Sequence, residues 1–308
     1  MSSTPAYISL FRSGELALRA QEAERHLVSC DLCPWECHVD RTIDDSSTCS
    51  KLGICRTGCL ACISSYGPHY GEERPISGQR GSGTIFFTNC NLKCQYCQNY
   101  DISQVNNGLK IEPDELASIM LELQELGSHN INFVSPSHVV AQILASLLIA
   151  VSQGLHIPLV YNSGGYDSLT ALKLLDGVID IYMPDMKYAD DKTGIKYSKI
   201  ANYPAINQAA IIEMHRQVCD LQIDINGVAQ KGLLVRHLVL PNNLAGTERI
   251  VHFLANQISK NTYLNIMDQY RPAFKANEFP EINRPTNQKE YQQALEFAFL
   301  EGLVRLDR

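Results

Sequence analysis

The chain has 308 residues, 45% of them hydrophobic, which is enough for a sizeable core and too many for a mostly disordered polymer. Its 26 basic residues against 33 acidic ones give a formal charge of −7, with charged residues at 19%, so neither a nucleic-acid backbone nor an anionic membrane is an expected partner. No charged, apolar and small-residue leader pattern opens the sequence. The most apolar run, Val139 to Val151, contains Gln142 and is too short to cross a bilayer, so a soluble, cytoplasmic protein is expected.

Residues 1–82 differ in texture from the rest. A short helical pattern runs from Ser13 to Leu27. After it come seven of the chain's 11 cysteines, Cys30, Cys33, Cys37, Cys49, Cys55, Cys59 and Cys62, set among Gly and Pro with few apolar runs. In a reducing compartment such clustering favours metal ligation over disulfides.

From Gly83 onward the pattern becomes regular. Apolar, strand-like runs occur at Thr84 to Phe87, Asn130 to Val134, Pro158 to Tyr161, Val178 to Met183, Leu233 to Leu240 and Tyr263 to Met267. Helical patterns lie between them: one from Pro113 to Gly127, with proline in its first turn and glycine at its end, and one from Val139 to Val151. Others span Asp167 to Leu175, Asn207 to Cys219 and Thr247 to Ser259, and a last one, Lys289 to Leu300, is expected to pack outside. Asn226-Gly227 reads as a hairpin turn.

Alternating strands and helices imply right-handed crossovers and a parallel sheet. Six units suit an α/β fold of the open kind, a partial (β/α)6 TIM-like barrel. The expected organisation is a cysteine-rich segment at 1–82, a barrel core at 83–275 and a helical tail at 276–308. In such a barrel the chemistry belongs in the loops that follow the strands. These are Thr88 to Asn99, Ser135 to His138, Asn162 to Tyr166, Pro184 to Tyr188, Pro241 to Asn243 and Asp268 to Arg271.

The first of these loops contains Cys90, Cys94 and Cys97, three thiols within eight residues. An iron–sulfur cube normally takes four thiolates, so three leave one iron open to an exogenous ligand. A closed zinc site would also want a fourth ligand, which only the N-terminal segment could supply.

CxxxCx(aromatic)C on this loop, complete with Tyr96, resembles the signature of the radical S-adenosylmethionine (SAM) superfamily. The resemblance implies a [4Fe–4S] cluster on Cys90, Cys94 and Cys97, with SAM chelating the fourth iron. Its reductive cleavage gives a 5′-deoxyadenosyl radical that abstracts a hydrogen. Further blocks, Cys30-Asp31-Leu32-Cys33-Pro34, Ile76-Ser77-Gly78, Asp180 to Tyr188 and Arg236 to Pro241, are similar to those of pyruvate formate-lyase activating enzyme-like proteins with a cysteine-rich N-terminal segment.

By that resemblance Tyr96, Asn162, Ser163, Asp185, Lys187, Arg236 and Gln269 are cofactor-binding positions, with Tyr270 a weaker one. Pro136, Ser137 and His138 stand where many relatives carry Gly-Gly-Glu, so Ser135, Ser137 or His138 substitutes for it or the amino group of SAM is held differently. Implied partners are a glycyl radical protein and an electron donor such as flavodoxin or ferredoxin. A radical enzyme acting directly on a small molecule or peptide is the alternative, and a non-catalytic metal-binding scaffold a third reading.

The N-terminal cysteines suggest an auxiliary site for zinc or a second iron–sulfur cluster. Relatives with this segment carry Cys30, Cys33, Cys37 and Cys55. Cys30 and Cys33 with Cys59 and Cys62 make a competing, ribbon-like quartet, and Cys49 is left over either way. Cys219 reads as buried packing.

Overall fold

A computed structural model describes residues 4–42, 52–105 and 107–307. Cys49 lies outside the described residues. Among them, nine strands form one mixed sheet: β1 Ala61–His69, β2 Ser82–Phe87, β3 Leu109–Ile111, β4 Ile131–Val134, β5 Leu159–Ser163, β6 Ile181–Pro184, β7 Gln222–Ile223, β8 Ala229–Leu238 and β9 Tyr263–Met267. Neighbours β2, β4, β5, β6, β8 and β9 pair in parallel and form the six-unit partial barrel. Each of the six expected strands is present.

Helices cross between successive parallel strands. Pro113–Glu125 starts at a reciprocal cap between Glu112 and Glu115, and it packs beside Val140–Ser152 on the outer face. Leu169–Leu174 is capped by Ser168, and Tyr203–Val218 and Thr247–Phe253 complete the layer. No helix among the described residues is long and apolar enough to cross a membrane. Buried side chains of this helical layer and of the outer sheet face, Leu116, Met120, Phe133, Leu144, Leu147 and Tyr161 among them, form the main core. A smaller apolar cluster fills the barrel interior, where Ile76, on the short helix Arg74–Ser77, meets Val160, Ile181, Met183 and Leu234.

The helix expected over Ser13 to Leu27 is present as Glu15–Arg25, and a further helix, Tyr7–Ser13, precedes it. They break at Gly14, whose φ of 80° is left-handed. Cys219, expected to be buried, is exposed: it follows the helix Tyr203–Val218 with φ 59°, at the bend into β7.

One arrangement decides where the cysteine-rich segment lies. β1 runs antiparallel to β2, pairing Ile63 with Phe87 at one end and His69 with Ser82 at the other. The start of β1 is therefore at the end of the barrel where the parallel strands finish, and the Thr88 amide donates to the Cys62 carbonyl there (2.8 Å).

Candidate active site at the mouth of the partial barrel

Beyond β2 the chain turns through Asn89, at φ 67°, into the three-cysteine loop. The Leu92 amide points at the Cys90 sulfur (3.4 Å), the Ser198 hydroxyl lies 3.0 Å from the Cys94 sulfur, and the Ser103 hydroxyl lies 3.2 Å from that of Cys97. Backbone bonds from Lys93 to the Ser198 carbonyl and from Gln95 to the Tyr197 carbonyl fasten the loop to the helix Asp191–Ser198. Burial pushes the free thiol of Cys94 up to about 12 and raises that of Cys90 as well, so iron must displace protons when it binds.

The three sulfurs line a cavity of about 700 Å³, counting its open mouth. Asn162, Ser163, Asp185, Lys187 and Arg236 line the same space. Each stands at or just past the end of a parallel strand, and that shared position is what gathers residues so far apart in sequence. Gly164 and Gly165 complete the turn after β5. A Cβ on Gly165, which has φ 72°, would overlap the Asp185 carbonyl and the Asn207 amide.

Charge in this cavity is organised around Asp185. Its carboxylate accepts from the Lys187 ammonium at 2.6 Å and from the Arg236 guanidinium at 2.9 Å, with all three side chains less than a fifth exposed. Burial alone would push the Asp185 carboxyl up, but Arg236 and Lys187 outweigh it and hold it below the ordinary carboxylate range. Glu73 adds a second carboxylate 3.9 Å from Arg236 and is itself bonded by Asn265. These are buried, mutually compensated charges, unlike a pair on a wet surface.

Two expected cofactor positions are not in the cavity wall. The Tyr96 ring is buried behind the loop against Tyr270. Its hydroxyl meets that of Tyr188 (2.7 Å), and Tyr188 meets the Ser198 hydroxyl (2.6 Å) that faces Cys94. The aromatic residue of the motif thus buttresses the loop through a chain of hydroxyls. Gln269 is exposed, and its carbonyl accepts from the Gln98 amide. Ser163 lines the cavity but spends its hydroxyl on Asp167 (2.6 Å). Of the Ser135–His138 loop only Ser135 lines this cavity; Ser137 and His138 line a neighbouring one with Cys30, Cys33, Cys37 and Cys55.

The sequence model of the Radical SAM superfamily matches residues 84–254, more than half of the chain, from β2 through the helix after β8. The chain belongs to the radical SAM superfamily. It is 34% identical over 293 residues to an uncharacterized protein of Methanocaldococcus jannaschii, covering 92% of this chain and 78% of that protein. Among solved structures it is similar to TYW1 with a lysine–pyruvate adduct bound, with a TM-score of 0.43 and 12% identity, covering 71% of this chain and 72% of that one.

Membership implies a [4Fe–4S] cluster and SAM, and the residues present fit both. Three thiols line one solvent-open cavity together with the Asp185 carboxylate and the Lys187 and Arg236 cations. A [4Fe–4S] cube would give each of the three thiolates its own iron and leave the fourth iron open. Ser198 and Ser103 escape sequence reasoning. Ser198 reaches Cys94 from 104 positions away, and no local pattern marks it.

Proposed function

We propose that this chain cleaves SAM reductively and removes a hydrogen atom from a glycine of a partner protein, as glycyl radical activating enzymes do. The observation that carries the SAM chemistry is the single cavity lined by Cys90, Cys94, Cys97, Asp185, Lys187 and Arg236. When bound, the cluster and SAM supply a one-electron cleavage of the sulfonium that yields a hydrogen-abstracting radical.

The chain's own residues hold and shield the reactants. Lys187 and Arg236 offer cations to the carboxylate of SAM, Asp185 offers acceptor oxygens to ribose hydroxyls, and Asn162 and Ser135 add neutral polar groups. Phe87, Leu92, Ile102 and Val134 give the cavity an apolar wall that limits water. Flavodoxin or ferredoxin supplies the electron, and the N-terminal cysteines hold a second metal centre. The activase reading draws its support from the blocks Asp180 to Tyr188 and Arg236 to Pro241.

Anaerobic reconstitution with iron and sulfide, reduction and addition of SAM should release 5′-deoxyadenosine from the wild type and not from Cys94→Ala. Mixing the active enzyme with a candidate glycyl radical protein should then produce an EPR doublet on the partner. Release of 5′-deoxyadenosine stimulated only by small molecules or peptides, with no protein radical, would replace the activase reading with direct substrate modification.

A further inference from the structure

Three hydroxyls stand in line behind the cysteine loop. The Ser198 hydroxyl lies 3.0 Å from the Cys94 sulfur, the Tyr188 hydroxyl 2.6 Å from that of Ser198, and the Tyr96 hydroxyl 2.7 Å from that of Tyr188. All four residues are buried, Ser198 and Tyr188 almost completely, so water does not compete for these bonds.

Distant parts of the chain supply the line. Tyr188 follows the Asp185 and Lys187 pair, so one strand end sends Lys187 into the cavity wall and Tyr188 behind the loop. Ser198 ends the helix Asp191–Ser198, which the loop grips through the backbone amides of Lys93 and Gln95. The Tyr188 ring meets Tyr203 edge to face at 5.4 Å, and the Tyr96 ring meets Tyr270 in the same way at 5.6 Å. These contacts fix where the two phenols point.

Counting protons gives the line a direction. A metal-bound cysteine sulfur is a thiolate and only accepts. Ser198 has one hydroxyl proton, which goes to Cys94. The Tyr188 proton is then the one between Tyr188 and Ser198, and the Tyr96 proton the one between Tyr96 and Tyr188. All three O–H dipoles point toward one sulfur.

We infer that Tyr188 and Tyr96 are positioning residues that set the reduction potential of the cluster through Ser198. The inference rests on the cluster-bearing loop of the proposed function. A reduced cluster carries one more negative charge than an oxidised one, so a donor on its sulfur favours reduction and raises the potential. Each hydroxyl is polarised by the donor behind it, so the bond from Ser198 is stronger with Tyr188 in place, and the influence fades from Ser198 to Tyr188 to Tyr96. A phenylalanine at either tyrosine position fills the same space and cuts the line short.

The test is EPR-monitored redox titration of the reconstituted full chain without SAM. Ser198→Ala should lower the potential most, Tyr188→Phe less and Tyr96→Phe least, while Ser198→Thr, which keeps a hydroxyl, should stay near wild type. Ser198→Ala combined with Tyr188→Phe should read the same as Ser198→Ala alone, because Tyr188 acts only through Ser198. Tyr188→3-fluorotyrosine should raise the potential above wild type, since its more acidic phenol donates more strongly.

A Tyr188→Phe protein at the wild-type potential, or two substitutions whose shifts add, overturns the inference. Should Tyr188→Phe not take up a cluster, the fluorotyrosine protein decides, because it exchanges only a hydrogen for a fluorine: a raised potential supports the line, and an unchanged or lowered one refutes it. No reading involves SAM, so failure of the proposed function shows separately, as a wild type that releases no 5′-deoxyadenosine.

Discussion

Replacing Asp185 by Asn tests the charge organisation of the proposed SAM site without any cofactor. The substitution keeps the shape of the side chain and removes the negative charge that pairs with both Lys187 and Arg236, whose side chains are 17% and 18% exposed. Removing one partner of a buried pair typically costs about 3–5 kcal/mol, because the remaining charge is desolvated and unpaired. Two cations are left here, although Glu73 still offsets Arg236 from 3.9 Å, so the lower half of that range is expected.

Urea unfolding of the metal-free protein measures the loss as a shift in midpoint at unchanged slope. The pH dependence has a fixed sign. The folded carboxyl is held below its unfolded value of about 3.9, so its stabilisation is complete above that value and is lost as pH falls toward the folded pKa. The gap between wild type and Asp185→Asn should be constant from pH 7 to about 5 and narrow below pH 4. Adding Lys187→Met should restore part of the loss by removing one unpaired cation. A variant as stable as wild type at pH 7, or a gap unchanged at pH 3, would refute the electrostatic reasoning.

Three further outcomes are expected. Ser198→Ala removes the hydroxyl beside the Cys94 sulfur and should lower the reduction potential of the bound cluster, measured by EPR-monitored titration, at a stability cost of about 1 kcal/mol. Gly165→Ala forces a side chain onto a left-handed residue and into the Asp185 carbonyl, so it should cost more than ~1 kcal/mol and abolish SAM binding in an equilibrium titration.

His237, buried between the Met186 carbonyl and the Thr247 hydroxyl, is pushed down to about 4 by burial, and His138 to about 3. The unfolded chain binds these protons from about pH 6.5 downward while the folded one does not. Each imidazole should therefore cost the metal-free protein about 1 kcal/mol of stability per pH unit between pH 6 and 4, against the opposite contribution of Asp180, whose carboxyl is raised to about 6 by burial, and His237→Gln should remove one such unfavourable contribution in urea unfolding.

The six parallel strands were legible because strands covered on both faces read as apolar runs separated by amphipathic helices. β1 was not. Ala61–His69 contains two serines, a glycine and a proline, and only its first three residues are buried, so its strand character comes from pairing with β2 and β3. The helix Asp191–Ser198 was equally silent, since its buried residues are Gly194, Tyr197 and Ser198 rather than an apolar stripe.

In the site, Cys90, Cys94 and Cys97 stood out as three thiols in one strand-end loop, whereas Asp185, Lys187 and Arg236 were marked only by the family resemblance. What lay beyond the sequence was supplied across the chain: Ser198 to Cys94, Trp35 to Asn91, and Arg41 to His138. Tyr96 shows the converse, because its place in a motif did not reveal that its hydroxyl points away from the cavity toward Tyr188.

The most direct measurement is hyperfine spectroscopy of the reduced, cluster-loaded protein with SAM labelled at its amino nitrogen and carboxylate oxygens. Coupling of both labels to the cluster spin is expected, together with loss of that signal in Cys94→Ala. A fully loaded cluster whose spectrum is indifferent to SAM would contradict a three-thiolate centre with one iron left for the nucleotide.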